Sequence, residues 1–219
     1  MKTCSQRGVS LLSLLIGLVI SMIAVLGVTS LFRTVIKNNT EASQNARVTA
    51  ERAAAMLIAD MHLADAGFGL EGSLSVNLLL LQDAQLNEDE TAVTGTAVTS
   101  ISGEGNALIW RFNESALTEA ASYVCAGLYA SDDGIGYLSR PSGSNCDSVS
   151  DALGESDWKL EPLVERGPKF SIEINRDADC SSFGIAGNSQ VQVTIRTSHE
   201  VGVGEIELSS TSCLLNFSS

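Results

Sequence analysis

MKTCSQRGVSLLSLLIGLVISMIAVLGVTSLF, residues 1–32, changes character after Gly8. Residues 1–8 are short and polar, with Lys2, Arg7 and no acid; Val9 to Phe32 then runs for 24 residues without a charge. About 20 apolar residues span a bilayer core as a helix, so this run is long enough to cross. Its polar members, Ser10, Ser13, Ser21, Thr29 and Ser30, can bond their hydroxyls back to the helix backbone. The run is too long for the apolar region of a secretory signal peptide, and no small-residue cleavage site closes it before Arg33. Cys4 precedes the run rather than following it, which excludes a lipidated cysteine after an apolar segment. Lys2 and Arg7 predict a cytoplasmic N-terminus, with the long remainder translocated.

The helical pattern continues beyond the apolar run. Arg33 to Ala66 holds no Pro and no Gly and is rich in Ala, Glu, Arg, Gln and Met. Val35, Ile36, Ala42, Ala46, Ala50, Ala53, Leu57 and Met61 recur at spacings that put them on one face. Four basic residues (Arg33, Lys37, Arg47, Arg52) balance four acids (Glu41, Glu51, Asp60, Asp65), and Gly67 and Gly69 give a stop. One helix from Val9 to Ala66 would measure about 87 Å at 1.5 Å per residue. Its first part (9–32) would be a membrane span. The second (33–66) would be amphipathic and would dock by its apolar face on its own domain.

Residues 67–219 carry seven basic and twenty-two acidic residues, a net of −15 in a chain of −13. Such a surface stays soluble and is a poor match for phosphate backbones, so direct nucleic-acid binding is not expected. Short β-rich runs mark strands at 107–112, 122–130, 170–177, 190–198 and 203–210. A further strand at 158–167 is confined to an edge or a strand end by Pro162. Gly/Ser/Asn/Asp-rich turns fall at 102–106, 131–136 and 141–148, and residues 86–105 read as a mobile loop.

Four of the five cysteines, Cys125, Cys146, Cys180 and Cys213, lie in this acidic part. Outside the cytoplasm they are expected as disulfides. Four cysteines allow three pairings, and sequence alone does not choose. We favour neighbours in sequence, Cys125 with Cys146 and Cys180 with Cys213. No C-x2-C and no adjacent His offers a metal site, and no cofactor is expected. There is no G-x-S-x-G, H-E-x-x-H or P-loop, and an enzyme is not expected. His62 reads as a helix-surface residue, and Trp110 and Trp158 as core. The acidic groupings at 132–134 and 175–180 fall short of a calcium loop.

A basic leader ending in Gly8, an apolar helix directly after it and a strand-rich domain with cysteines together resemble type IV prepilins. NARVTAERAAAMLIADMHLADAGFG (45–69) and PLVERG (162–167) are similar to segments of PilW-like minor pilins. The resemblance implies cleavage by a prepilin peptidase between Gly8 and Val9, and methylation of Val9. It implies an α+β fold, with the long helix packed on an antiparallel sheet domain. It further implies insertion in the inner membrane with a periplasmic domain, then a place in a pilus through helix contacts with major and minor pilins. The family usually carries Glu at the fifth mature position, where this chain has Ser13. A subunit without that carboxylate fits a place at or near the pilus tip, because nothing above it presents an N-terminal amine to neutralise. The family's helix-kinking Pro is also absent. Two alternatives remain open: a minor pseudopilin of a type II secretion system, and a membrane-anchored binding module that never polymerises.

Overall fold

The computed structural model describes residues 11–70, 73–113, 122–141, 144, 146–164, 169–178, 180, 191–201 and 204–217. The architecture is α+β, a long N-terminal apolar helix with antiparallel sheets, as a pilin-like fold has. Two compact units divide the chain, Met1–Arg47 and Val48–Ser219. Helix α1 (Leu11–Leu63) contributes to both. Its apolar stretch is long and hydrophobic enough to cross a membrane and buries nothing within the protein.

The second unit contains the end of α1, a single turn α2 (Leu74–Asn77) and ten strands. These are β1 (Leu78–Leu86), β2 (Val93–Val98), β3 (Ser102–Gly105), β4 (Ala107–Asn113) and β5 (Tyr123–Ser131). The remainder are β6 (Gly134–Ser139), β7 (Lys159–Val164), β8 (Phe170–Asn175), β9 (Gln192–Val201) and β10 (Gly204–Cys213). They form two antiparallel sheets, ordered β2-β1-β4-β5-β6-β7 and β10-β9-β8-β3, where one sheet was expected. The strand segments read from sequence match β4, β5, β7, β8, β9 and β10, and Pro162 lies in β7 at a sheet edge.

Three readings are corrected. Residues 86–105 are not a mobile loop, because β2 pairs with β1 and β3 pairs with β8. The turn expected at 131–136 closes earlier, and β6 begins at Gly134. LLLLQDAQL is a strand that the alternation rule passed over. Leu78 to Leu81 are all buried because both faces of the larger sheet are covered there, so this half of the strand has no polar face to alternate with.

The two faces are covered differently. Leu78, Leu80, Leu108, Trp110, Ala126 and Leu128 face a core shared with α1 and with Phe170, Ile172, Ile174, Val193 and Ile195 of the smaller sheet. Leu79, Leu81, Ala107, Ile109 and Leu138 face a second core closed by Cys146, Val149, Ala152 and Trp158. That cover is tied by main-chain bonds from Val149, Gly154 and Trp158 to Val76, Val93 and Thr91, and by side chains at three further places. Cys125 of β5 is bonded to Cys146. Buried Arg111 donates to the carbonyls of Cys146 and Asp147 and, at 2.6 Å, to Asn77 Oδ1. Arg140 donates from Nε and a terminal nitrogen to the two Asp157 carboxylate oxygens at 2.6 and 2.8 Å, with its guanidinium over Trp158.

The hydrogen bonds from Arg140 hold the Asp157 carboxyl below its usual range against the opposing effect of burial. A depressed carboxyl stabilises the fold above its unfolded pKa of about 4, and the contribution disappears as pH falls through the lower folded value. Asp157→Asn should therefore be less stable than the parent at pH 7. The difference should shrink as both are unfolded at successively lower pH below about 4, followed by tryptophan fluorescence.

The chain passes between sheets at Asn106. Its backbone N–H donates to Leu81 O at 2.9 Å, and its side-chain oxygen accepts from Ala84 N at 2.7 Å. The same side chain donates to Ala84 O and Ala130 O. One amide thus satisfies the main chain at the bulge of β1 and at β5, where ladder bonds are interrupted.

Candidate functional site

Helix α1 in the second unit lies along the shared core. Arg52, Ala55, Met56, Ala59 and Leu63 are its buried residues, spaced three and four apart as one helical face. The stripe read from sequence as the docking face is a different one. Ala50, Ala53, Leu57 and Met61 are exposed, Leu57 by 63% and Met61 by 66%. At about 100° per residue, the buried and exposed sets are centred roughly 150° apart, and Asp60 lies between them on one flank. The domain buries the face that carries Ala55 and Ala59 with Arg52, Met56 and Leu63, and Leu57 and Met61 are left outside.

Two contacts fix the helix on opposite flanks. On one, Asp60 accepts hydrogen bonds from Ser210 and Ser212 of β10, the second at 2.7 Å. On the other, the His62 ring stacks on Tyr137 of β6 with centroids 3.8 Å apart, and Tyr137 lies 6.3 Å from Trp110. His62 is therefore half-buried between helix and sheet, not a free surface residue. Beyond the helix end, Asn216 donates to the carbonyls of Ala64 and Ala66, both at 3.0 Å. Gly67, at φ +78°, donates to Arg111 O. A Cβ at Gly67 would lie 2.8 Å from the Phe217 ring, so glycine is required by both its conformation and its neighbour. Asp60→Ala should cost about 2 kcal/mol, since it removes two hydrogen bonds to a charged acceptor. Chemical denaturation of the detergent-solubilised chain would measure it, and Asp60→Asn should recover part of the loss.

Arg52 is 1% exposed, and its Nε and one terminal nitrogen have no hydrogen-bond partner. Burial lowers its pKa. Two desolvated guanidinium nitrogens without a partner among the described residues cost stability. Arg52→Met, which keeps the stem and drops the charge, should raise the unfolding free energy by about 1 kcal/mol or more. A fall in the urea midpoint would contradict this.

Gly8 and Val9, the expected cleavage and methylation site, lie outside the described residues, as does Cys4. Ser13 is an exposed residue of α1 in the first unit. The cysteines are paired as favoured, Cys125 with Cys146 and Cys180 with Cys213. Trp110 and Trp158 are buried, one in each core. Asp132 of the 132–134 turn pairs with Lys169 at 3.4 Å. Among the described residues, no group of three or more His, Cys, Asp or Glu is placed to hold a metal ion.

One open depression of about 810 Å³ lies where β1, β5, β6 and β7 end, lined by Leu86, Glu90, Tyr129, Asp133 and Pro162 among others. Burial raises the Tyr129 pKa, and Asp132 and Glu90 add to the rise, so this phenol stays protonated. Asp60, Ser210, Ser212, Asn216 and the His62–Tyr137 stack carried no sequence signal, since their partners are up to 152 residues away. Comparison with family models, with curated proteins and with solved structures finds no match.

Proposed function

We propose that the protein is a filament subunit of the type IV pilin class, a minor pilin that acts in assembly at or near the tip. The observation that carries this reading is the double use of α1. One unbroken helix, Leu11–Leu63, supplies both an exposed apolar run able to cross a membrane and the face that completes the domain core. A simple anchor needs no such continuity, because a flexible linker would hold a domain at the membrane equally well. In a subunit that is drawn from lipid into a bundle, the apolar run exchanges acyl chains for other helices at little cost. The acidic domain stays periplasmic or at the filament surface, closed by its two disulfides as suits an oxidising compartment.

The leader motif and Ser13 support the finer assignment. A hydroxyl at Ser13 accepts a hydrogen bond but cannot neutralise a buried amine. The deciding measurement is the N-terminal mass of the membrane-isolated chain with and without the prepilin peptidase. A chain beginning at methylated Val9, seen only with the peptidase, is the expected result. An intact Met1 in both strains would sink the pilin assignment and leave an anchored binding domain. Ser13→Glu tests the tip position separately, since unchanged localisation in that variant would remove the role assigned to Ser13.

A further inference from the structure

The smaller sheet ends in an open strand. β10 has ten residues and, among the described residues, borders only β9. Leu214 N donates to Val191 O, and the pairing continues in that register through Ser212↔Val193 to Gly204↔Val201. In an antiparallel ladder, hydrogen-bonded and non-hydrogen-bonded pairs alternate. The Leu214–Val191 bond therefore assigns Ser212, Ser210, Leu208 and Ile206 to β9. It turns the N–H and C=O groups of Glu205, Glu207, Ser209 and Thr211 outward. These four residues are exposed, and their main-chain groups have no partner among the described residues. β10 has no Pro, no Lys and no Arg, and its only edge charges are the carboxylates of Glu205 and Glu207, which oppose an acidic strand but not a basic one.

The two sides of this edge differ. On the outer face, Glu205 and Glu207 project beside Glu173 and Glu104, with Arg196 among them and Lys169 lining the same depression. Arg196 is already engaged by Glu173 and Glu207 and Lys169 by Asp132, and Glu205 has no ion pair among the described residues. On the inner face, Ser210 and Ser212 reach Asp60 between the two helix faces. Beyond it, on the side away from the core, lie Leu57 and Met61. Ile206, 41% exposed, extends the apolar floor along the strand.

We propose that β10 and the Leu57–Met61 flank of α1 form a docking groove for an extended segment of a partner protein. That segment adds to the sheet as a further strand and alternates basic with apolar residues. Its main chain takes the free groups of β10, its basic side chains meet Glu205 and Glu207, and its apolar ones cover Leu57, Met61 and Ile206. A second copy of this chain is disfavoured as the occupant, because the domain carries a net charge of −15 and β10 offers two glutamates and no base. The groove lies wholly within the second unit and does not depend on the filament reading.

The test uses the full chain in neutral detergent micelles with a capped ten-residue peptide alternating Lys and Val. Two comparison peptides replace Lys by Glu, or Val by Gly. The expected result is binding of the Lys–Val peptide, with slowed hydrogen exchange at the amides of Glu205, Glu207, Ser209 and Thr211. Affinity should fall about tenfold or more, about 1.4 kcal/mol, for the Glu–Val and Lys–Gly peptides. Ser209→Pro removes one outward N–H and leaves the bonds to β9 in place, and it should weaken binding similarly. Glu205→Lys serves the same purpose without touching the backbone.

Four outcomes would overturn the proposal. Equal binding of the Lys–Gly peptide would reduce the effect to net charge. Binding without protection of the four amides would place it elsewhere, and no binding would remove the groove as a site. Protection of these amides in the free chain, rising with protein concentration, would assign the edge to a second copy instead.

Discussion

Cys125→Ala/Cys146→Ala is expected to lower the unfolding free energy by about 3 kcal/mol. The bond closes a loop across 21 positions, and in the chain-entropy model its removal releases the unfolded chain by about that amount. A second effect acts on the folded state. Cys146 is the first buried residue of the cover on the larger sheet, and Val149, Ala152 and Trp158 follow it into the second core. Without the bond, the cover is held by Arg111, by the Arg140–Asp157 pair, by main-chain bonds from Val149, Gly154 and Trp158 to Val76, Val93 and Thr91, and by its own apolar contacts. The two tryptophans separate these effects. Trp158 belongs to the cover, with its indole N–H on Ala152 O, whereas Trp110 lies in the core shared with α1. In native buffer the variant should show red-shifted emission from Trp158 and unchanged emission from Trp110, resolved with single-tryptophan versions. Loss of the Trp110 environment as well would mean that the cover and the shared core fold as one unit.

Gly105→Ala should destabilise by about 3 kcal/mol, as overpacking against a part that cannot yield. At this position β3 of the smaller sheet passes directly against β1 of the larger, and a Cβ would land on the Leu81 carbonyl oxygen. Leu81 is held in turn by Asn106 N and by its neighbours in β2 and β4. The obstacle is main chain, so no rotamer relieves it. Gly103, two residues earlier in the same strand, provides the control. A Cβ there would approach Val98 Cγ1, the end of a side chain that can shift. Gly103→Ala should therefore cost well under half as much, measured by urea unfolding of both variants. Equal losses would mean that β3 is intolerant of any side chain, and that the contact with Leu81 is not the cause.

The glycines illustrate what a sequence can and cannot convey. SGEGN reads as a turn because its composition is that of a turn. It is a strand because two sheets meet there too closely for side chains, a requirement visible only once β1 is in place. LLLLQDAQL posed the opposite difficulty. Its unbroken apolar run fits a strand covered on both faces, but the cover comes from residues 146–158, far along the chain. The edge position of β7 was legible because Pro162 has no N–H to donate, a local fact.

The candidate site divides the same way. The membrane-length apolar run, the continuous helix behind it and the Gly67 stop all follow from local composition and spacing, whereas the choice among three cysteine pairings needed the fold. The first three involve the residue itself or a neighbour within a few turns. The orientation of α1 also needed the fold. Periodicity pointed to Ala53, Leu57 and Met61 as the docking face because they are the more regular apolar set. The domain instead buries Arg52, Ala55, Met56, Ala59 and Leu63. Hydrophobicity says which residues leave water with profit, but close packing decides which of two faces fits a given surface. Asp60 with Ser210 and Ser212, and His62 with Tyr137, then fix the rotation of the helix. Those pairs span 75 to 152 positions, and only the tertiary fold brings them within reach.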